Sequence, residues 1–160
     1  MKRFLVPSSR FLVLFGFVFG FGCTRTIDVP ILTADGIGGL QLGMAQQAEG
    51  ECAYVRPPGV PDAVMAMVVG GRVRRIDVTQ QGPLTLAGVG VGAPEQTLLQ
   101  AYPGATRSPH KYVADGRTVS VELEPLGGSP RRLVFETDGH AVTRFRIGLT
   151  PEVDWVEGCS

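Results

Sequence analysis

Two stretches of this chain loosely repeat one another, and that duplication constrains the fold more than any other feature. One unit opens Gly36-Ile-Gly-Gly-Leu40-Gln-Leu42-Gly43-Met44; the other opens Ala87-Gly-Val89-Gly-Val91-Gly92-Ala93. Leu40 aligns with Val89, Leu42 with Val91 and Gly43 with Gly92. Each opening predicts a helix, one over 44–49 and one after Ala93. In the second unit Pro94 suits the first helical turn, where its missing N–H costs nothing. Glu95 favours the positive end of the helix dipole. Leu98, Leu99 and Tyr102 follow at helical spacing, and Pro103-Gly104 ends the run.

Both units close with a hairpin. The first runs through 64–69, turns at Gly70-Gly71 and returns as Arg72-Val-Arg-Arg-Ile-Asp-Val78. The second runs through 133–137, turns at Asp138-Gly139 and returns as Ala141-Val-Thr-Arg-Phe-Arg-Ile147. Val73 aligns with Val142, Arg75 with Arg144, Ile76 with Phe145 and Val78 with Ile147. Gly-Gly and Asp-Gly tolerate the positive φ that tight hairpin turns require. The second unit also predicts an inserted hairpin, from Tyr112-Val113 through Asp115-Gly116 to the alternating Val119, Val121 and Leu123, with Gly127-Gly128-Ser129-Pro130 breaking the chain afterwards.

The expected class is α+β: an antiparallel sheet with short helices on one face, built of two degenerate helix-plus-hairpin modules. The expected organisation is one domain over 34–160, with modules at 34–80 and 84–149 and a C-terminal tail. Val153 and Trp155 of that tail are expected to pack inward on one face. The Gly43-Met44 and Gly92-Ala93 steps into short helices, Tyr102 near a helix end and the sheet that follows resemble the SmpA/OmlA-type envelope lipoprotein module. Its tandem form resembles the secreted β-lactamase-inhibitor-protein architecture. The first resemblance implies a role in outer-membrane assembly, the second docking on a hydrolase, and neither brings a catalytic residue. The Asp35-Gly-Ile-Gly38 opening and the Val156-Glu-Gly-Cys159 end are also similar to uncharacterised secreted or lipoprotein sequences.

The N-terminus points to export. Lys2, Arg3 and Arg10 precede an apolar run from Phe11 to Gly22. As a helix this run rises about 18 Å, against a hydrocarbon core of roughly 30 Å. It therefore reads as a signal peptide over 1–22; an uncleaved N-terminal anchor is the alternative. Gly20-Phe21-Gly22-Cys23 resembles a bacterial lipobox, with Gly20 where lipoproteins usually carry Leu. The resemblance implies cleavage before Cys23, lipidation of Cys23 and a tether over 23–33. Thr24, a residue other than Asp after the lipidated cysteine, implies the outer membrane facing the periplasm in a didermic source; otherwise the protein is expected to be secreted.

The cysteines agree with that reading. There are three, Cys23, Cys52 and Cys159. Lipidation of Cys23 leaves an even pair in an oxidising compartment. A Cys52–Cys159 disulfide would close a loop of about 107 residues, for which chain entropy alone contributes roughly 4.7 kcal/mol. Two buried free thiols are the alternative.

Little in the sequence points to catalysis. His110 and His140 have no neighbours at metal-ligand spacing and read as exposed turn or edge residues. Ser108, Ser120, Ser129 and Ser160 lie outside any Gly-x-Ser-x-Gly motif. Glu122 and Glu124 share the outer face of a strand and read as solvated. The Gly-rich openings lack the Lys-Ser/Thr ending of a phosphate loop. The chain carries 15 basic and 15 acidic residues. With three of the bases in the leader, the remainder is mildly acidic, which argues against nucleic acid as a partner.

One cluster suggests binding. Arg72, Arg74, Arg75, Arg144 and Arg146 lie on the two return strands. Arg75, Arg144 and Arg146 are the candidate partner-binding residues, with Arg75 and Arg146 expected on the solvated face as a basic stripe. The alternative pairs the arginines with Glu122, Glu124, Asp77 and Glu136 across strands. Tyr54, Tyr112 and Trp155 are candidate aromatic anchors for a partner. The expected function is that of a non-enzymatic envelope protein, anchored to the membrane through its N-terminal lipid and engaging a protein partner, without cofactor or metal. The alternative is a secreted binding or inhibitor module acting on a hydrolase or small ligand.

Overall fold

A computed structural model describes residues 28–160. Segment 1–22, expected to be a signal peptide, and Cys23, expected to be lipidated, lie outside the described residues. The chain forms β1 (Ile31–Leu32), β2 (Gly36–Ile37), β3 (Leu40–Gln41), β4 (Cys52–Val55), β5 (Val64–Val69), β6 (Arg72–Val78) and β7 (Leu84–Thr85). These are followed by α1 (Glu95–Ala101), β8 (Thr106–Pro109), β9 (Arg117–Leu126), β10 (Ser129–Thr137), β11 (Val142–Leu149) and a 3₁₀ turn at Glu152–Asp154. β1 falls within 23–33, the stretch expected to be tether. Among the described residues no helix is long and apolar enough to cross a membrane.

The main sheet has seven strands in the order β4-β5-β6-β11-β10-β9-β8, each pair antiparallel. The two matched return strands, β6 and β11, lie side by side at its centre. Their register sets Ile76 against Ile147, Asp77 against Arg146 and Val78 against Phe145. Asp77 and Arg146 are equivalent positions of the two units, so the register runs symmetrically about that pair. The duplicated hairpins therefore meet across an approximate two-fold axis. A second, small sheet runs β3-β2-β1-β7, with β1 and β7 parallel.

One face of the main sheet is apolar. Val64, Ala66 and Val68 of β5, Val73, Ile76 and Val78 of β6, Phe145 and Ile147 of β11, and Leu133 and Phe135 of β10 all join one buried cluster. Leu98 of α1 and Leu32, Ile37 and Leu40 of the small sheet cover it. Phe135 and Phe145 stack at 5.6 Å, and Tyr102 lies against Phe135 at 5.3 Å. Strand alternation puts the residues between these positions on the opposite face. A bulge in β6 alters the count there. Val68 opposes Val73 while Met67 opposes Arg75, leaving Arg74 as the extra residue. Both Arg74 and Arg75 therefore serve the far face while Val73 and Ile76 serve the core.

The antiparallel sheet is as expected; the helical content is not. The fold is mixed but dominated by sheet, with one α-helix among the described residues. The segment 44–49, expected to be helical, instead runs against the β5–β6 turn. The Gly43 N–H donates to the Val73 carbonyl (2.7 Å), Val73 to Met44 (3.0 Å) and Gln46 to Gly71 (2.9 Å). So short a helix would leave most of its backbone groups unpaired, and the sheet margin satisfies them instead.

The inserted hairpin is also displaced. Its first strand is β8, and Tyr112 and Val113 lie in the loop that follows it. Gly127-Gly128 does not break the sheet but turns β9 into β10, with Leu126 opposite Ser129. β4 was not anticipated from the sequence.

Candidate functional site

The face of the main sheet opposite the core is polar, yet it is not open. After β11 the chain reverses at Thr150-Pro151, and residues 150–160 cross this face as a strap. Gly148 leaves room for the crossing. A Cβ there would lie 3.0 Å from the Val153 Cβ and 2.9 Å from the Arg74 carbonyl oxygen. Val153 is fully buried beneath the strap, whereas Trp155 remains 37% exposed. The 3₁₀ turn replaces the alternation that would have sent both inward.

Guanidinium groups hold the strap to the sheet. Arg74 donates twice to the Glu152 carboxylate, from Nε at 2.9 Å and Nη2 at 3.2 Å. Arg75 donates from Nε to Asp77 at 2.8 Å and from Nη1 to the Glu152 and Trp155 carbonyls at 3.1 and 2.6 Å. Its Nη2 donates to the Tyr54 hydroxyl. Arg146 donates from Nε to the Val153 carbonyl at 2.8 Å and from Nη1 to Glu136. Arg132 bridges Glu122 and Asp154 at the rim. Charge-assisted bonds of this kind, bidentate in the case of Arg74, are the stronger class.

Glu136 is the hub. It is buried and accepts hydrogen bonds from Arg144 Nε (2.6 Å), Arg146 Nη1 and His110 Nε2 (2.8 Å). Burial by itself would raise its carboxyl. The bonds from Arg144, Arg146 and His110 outweigh that cost and hold it down to about 2. The His110 tautomer follows from its neighbours. Nδ1 accepts from the Tyr112 and Val113 N–H groups at 3.0 and 3.2 Å, so Nε2 carries the hydrogen given to Glu136.

These contacts correct two sequence expectations. Arg75 and Arg146 are 4% and 3% exposed and do not form a solvated stripe. Strand alternation places them on the non-core face as anticipated, but the tail covers that face. Glu136 pairs across strands with Arg144 and Arg146, as the alternative required, whereas Asp77 pairs with Arg75 along the same strand and Glu122 with Arg132; Arg144 stays partly exposed. His110 is not an exposed edge residue, since its ring is nearly buried against Glu136. His140 is exposed in its turn, and Glu122 and Glu124 are exposed on β9.

The strap's far end is covalently fixed. Cys52 of β4 and Cys159 form a disulfide with their Cα atoms 5.4 Å apart. β4 is an edge strand, so the bond ties the C-terminus to the margin of the first unit's hairpin. Between them the strap, Cys52 and Lys111 line an open groove of about 540 Å³.

Of the three candidate anchors Trp155 lines this groove, and Tyr54 and Tyr112 lie against residues of its wall. Tyr54 stacks under the Arg75 guanidinium, 5.7 Å from ring to carbon, and its hydroxyl approaches Gly158. Burial, reinforced by Asp77, pushes that phenol above its ordinary range. Tyr112, 60% exposed, donates its hydroxyl to Glu157. Lys111 Nζ donates to the same carboxylate at 2.7 Å and lies 5.0 Å above the Tyr112 ring. Trp155 lines the groove wall.

The sequence reading missed Glu136 as a hub and Glu152 as a clamp. The usable signal was the tail itself, in which Val153 and Trp155 precede Cys159, the expected partner of Cys52.

Chemically, the inner network fixes a strap, and the surface offered to solvent is that strap with its aromatic rim. Among the described residues no group of three or more His, Cys, Asp or Glu side chains is placed to hold a metal ion. No protein-family model matches the chain, and no curated protein or solved structure matches it.

Proposed function

We propose that this protein is a non-enzymatic, lipid-anchored component of the bacterial cell envelope whose strapped face docks a protein partner. The observation that carries the reading is that Trp155 lines a groove on a pinned surface, with Tyr54 and Tyr112 set against Gly158 and Glu157 of its wall. Large aromatic side chains dominate binding energy at protein interfaces, because they bury much area at little entropic cost. A disulfide and a buried ion-pair network already order the strap, so little further ordering opposes association. The lipid anchor rests on the leader and Cys23, and places the protein at the outer membrane facing the periplasm if the source has two membranes.

The docking test uses the full-length protein in cells. A photoreactive phenylalanine analogue at Ser160, on the groove rim, should yield one discrete protein adduct. Trp155→Ala should remove that adduct while the disulfide still forms. Absence of any adduct, or its persistence in Trp155→Ala, would overturn the docking role. The secreted-inhibitor alternative differs in the fate of Cys23. Palmitate incorporation that disappears in Cys23→Ala supports the anchored form; unlabelled protein in the medium supports the secreted one.

A further inference from the structure

The small sheet presents an apolar surface where an ordinary strand pair would be polar. In the β1–β7 register Ile31 opposes Leu84 and Leu32 opposes Thr85. Leu32 and Thr85 point inward and are buried. The alternate positions therefore point outward, and they are Val29, Ile31, Leu84 and Leu86. Leu86 is 76% exposed at the tip of a turn closed by the Gly88 N–H on the Thr85 carbonyl (2.9 Å). Val29 and Ile31 are each 38% exposed. A solvent-facing side of a sheet normally carries polar residues, and a contiguous apolar exception marks a contact surface.

Directly behind Leu86 lies a cleft of about 190 Å³, walled by Leu32, Ala34, Tyr102, Leu123, Leu133 and Ile147. No charged side chain lines it. Apolar cavities of this kind hold water poorly and accept hydrocarbon. Its mouth, at Leu86 and Ala87, adjoins the outward stripe.

The position of this surface in the chain identifies what covers it. Val29 is six residues after Cys23. Six fully extended residues span no more than about 22 Å. A lipid on Cys23 therefore holds Val29, the near end of the stripe, within that distance of the bilayer it enters.

We propose that the outward face of the β1–β7 pair is a membrane-contact surface. Val29, Ile31, Leu84 and Leu86 seat in the interfacial layer of the bilayer, and the cleft behind Leu86 receives one acyl chain of a bilayer lipid. The small sheet covers the core face of the main sheet, whereas the strap covers the other. This seating therefore turns the aromatic groove away from the membrane, toward a partner. The inference rests on lipidation of Cys23 for its geometry, and its test separates the two.

The full-length protein is reconstituted in phosphatidylethanolamine–phosphatidylglycerol vesicles carrying brominated acyl chains, and its palmitate content is measured separately. Trp155 is the sole tryptophan, so the native protein reports from the strap and Leu86→Trp/Trp155→Phe reports from the tip. The tip tryptophan should emit blue-shifted light and be quenched by the bromines, while Trp155 in the native protein is not. An unquenched tip in palmitate-bearing protein overturns the membrane contact and leaves the lipid anchor standing. Equal quenching at both positions also overturns it. In protein without palmitate, a quenched tip upholds the contact surface and removes the anchor; an unquenched tip removes both. Because position 86 is exposed, the substitution should leave the fold intact, which disulfide formation on a non-reducing gel checks. Ala87→Trp, which fills the mouth of the cleft, should reduce cross-linking of a diazirine-bearing phospholipid to cleft peptides. Unchanged cross-linking would overturn the acyl-chain assignment.

Discussion

Replacing Glu136 by Gln tests whether the buried network holds the strapped face together. The carboxylate sits between Arg144, Arg146 and His110 with almost no solvent contact. Holding its carboxyl from an ordinary 4.5 down to about 2, at about 1.4 kcal/mol per pH unit, contributes roughly 3 kcal/mol of folding stability. Breaking a buried ion pair from one side costs a similar amount, about 3–5 kcal/mol, since Arg146 would keep a buried charge without its partner.

The sign of the pH dependence follows. A carboxyl depressed by folding contributes fully above its unfolded value of 4.5, and the contribution disappears as pH falls toward about 2. Urea unfolding of the disulfide-intact protein, followed by Trp155 emission, should show Glu136→Gln less stable by about 3 kcal/mol at pH 6. The gap should close progressively between pH 4.5 and about 2. A gap below about 1 kcal/mol at pH 6, the value of an exposed pair, would refute the reasoning. So would a gap that stays constant down to the lowest pH.

Two further substitutions probe the strap. Cys159→Ser frees the C-terminus; chain entropy predicts a loss of up to about 4.7 kcal/mol for a loop near this size, read by thermal unfolding. Trp155 emission should also shift to the red as the strap loosens, and an unchanged spectrum would mean that the ion pairs alone hold it. Gly148→Ala places a methyl 3.0 Å from Val153 and 2.9 Å from the Arg74 carbonyl. Overpacking of this kind costs about 1–3 kcal/mol, so the variant should melt early while its α1–core packing, read by near-ultraviolet dichroism of the Phe and Tyr rings, is kept.

Where reasoning from the chain alone succeeded, the cause was local. Gly70-Gly71 and Asp138-Gly139 make the hairpin turns as anticipated, because Gly70, Gly71 and Gly139 adopt positive φ whatever surrounds them. Strand alternation in β6 and β11 separated Ile76, Val78, Phe145 and Ile147 from the arginines correctly. Helix α1 formed where Glu95, Leu98 and Pro103 placed it. The reading failed over 44–49, where backbone partners on β6 and its turn outcompeted a helix too short to stand alone. It failed again at Tyr112-Val113, because the inserted strand is chosen by pairing with β9.

By itself, the order of residues determined which segments turn and which faces of the return strands are apolar. Tertiary structure decided what those faces meet. Whether Arg75 and Arg146 form an open basic stripe or a buried lattice depends on the chain reversing after β11 and folding back across them, remote in sequence from Arg75 though only seven residues from Arg146. No local pattern near either arginine encodes that coverage. The same holds for Tyr54, Tyr112 and Trp155, which lie far apart in the chain and all meet the strap only because the sheet, the His110 loop and the strap converge. Propensity and periodicity act over a few residues, whereas burial is a property of the assembled chain.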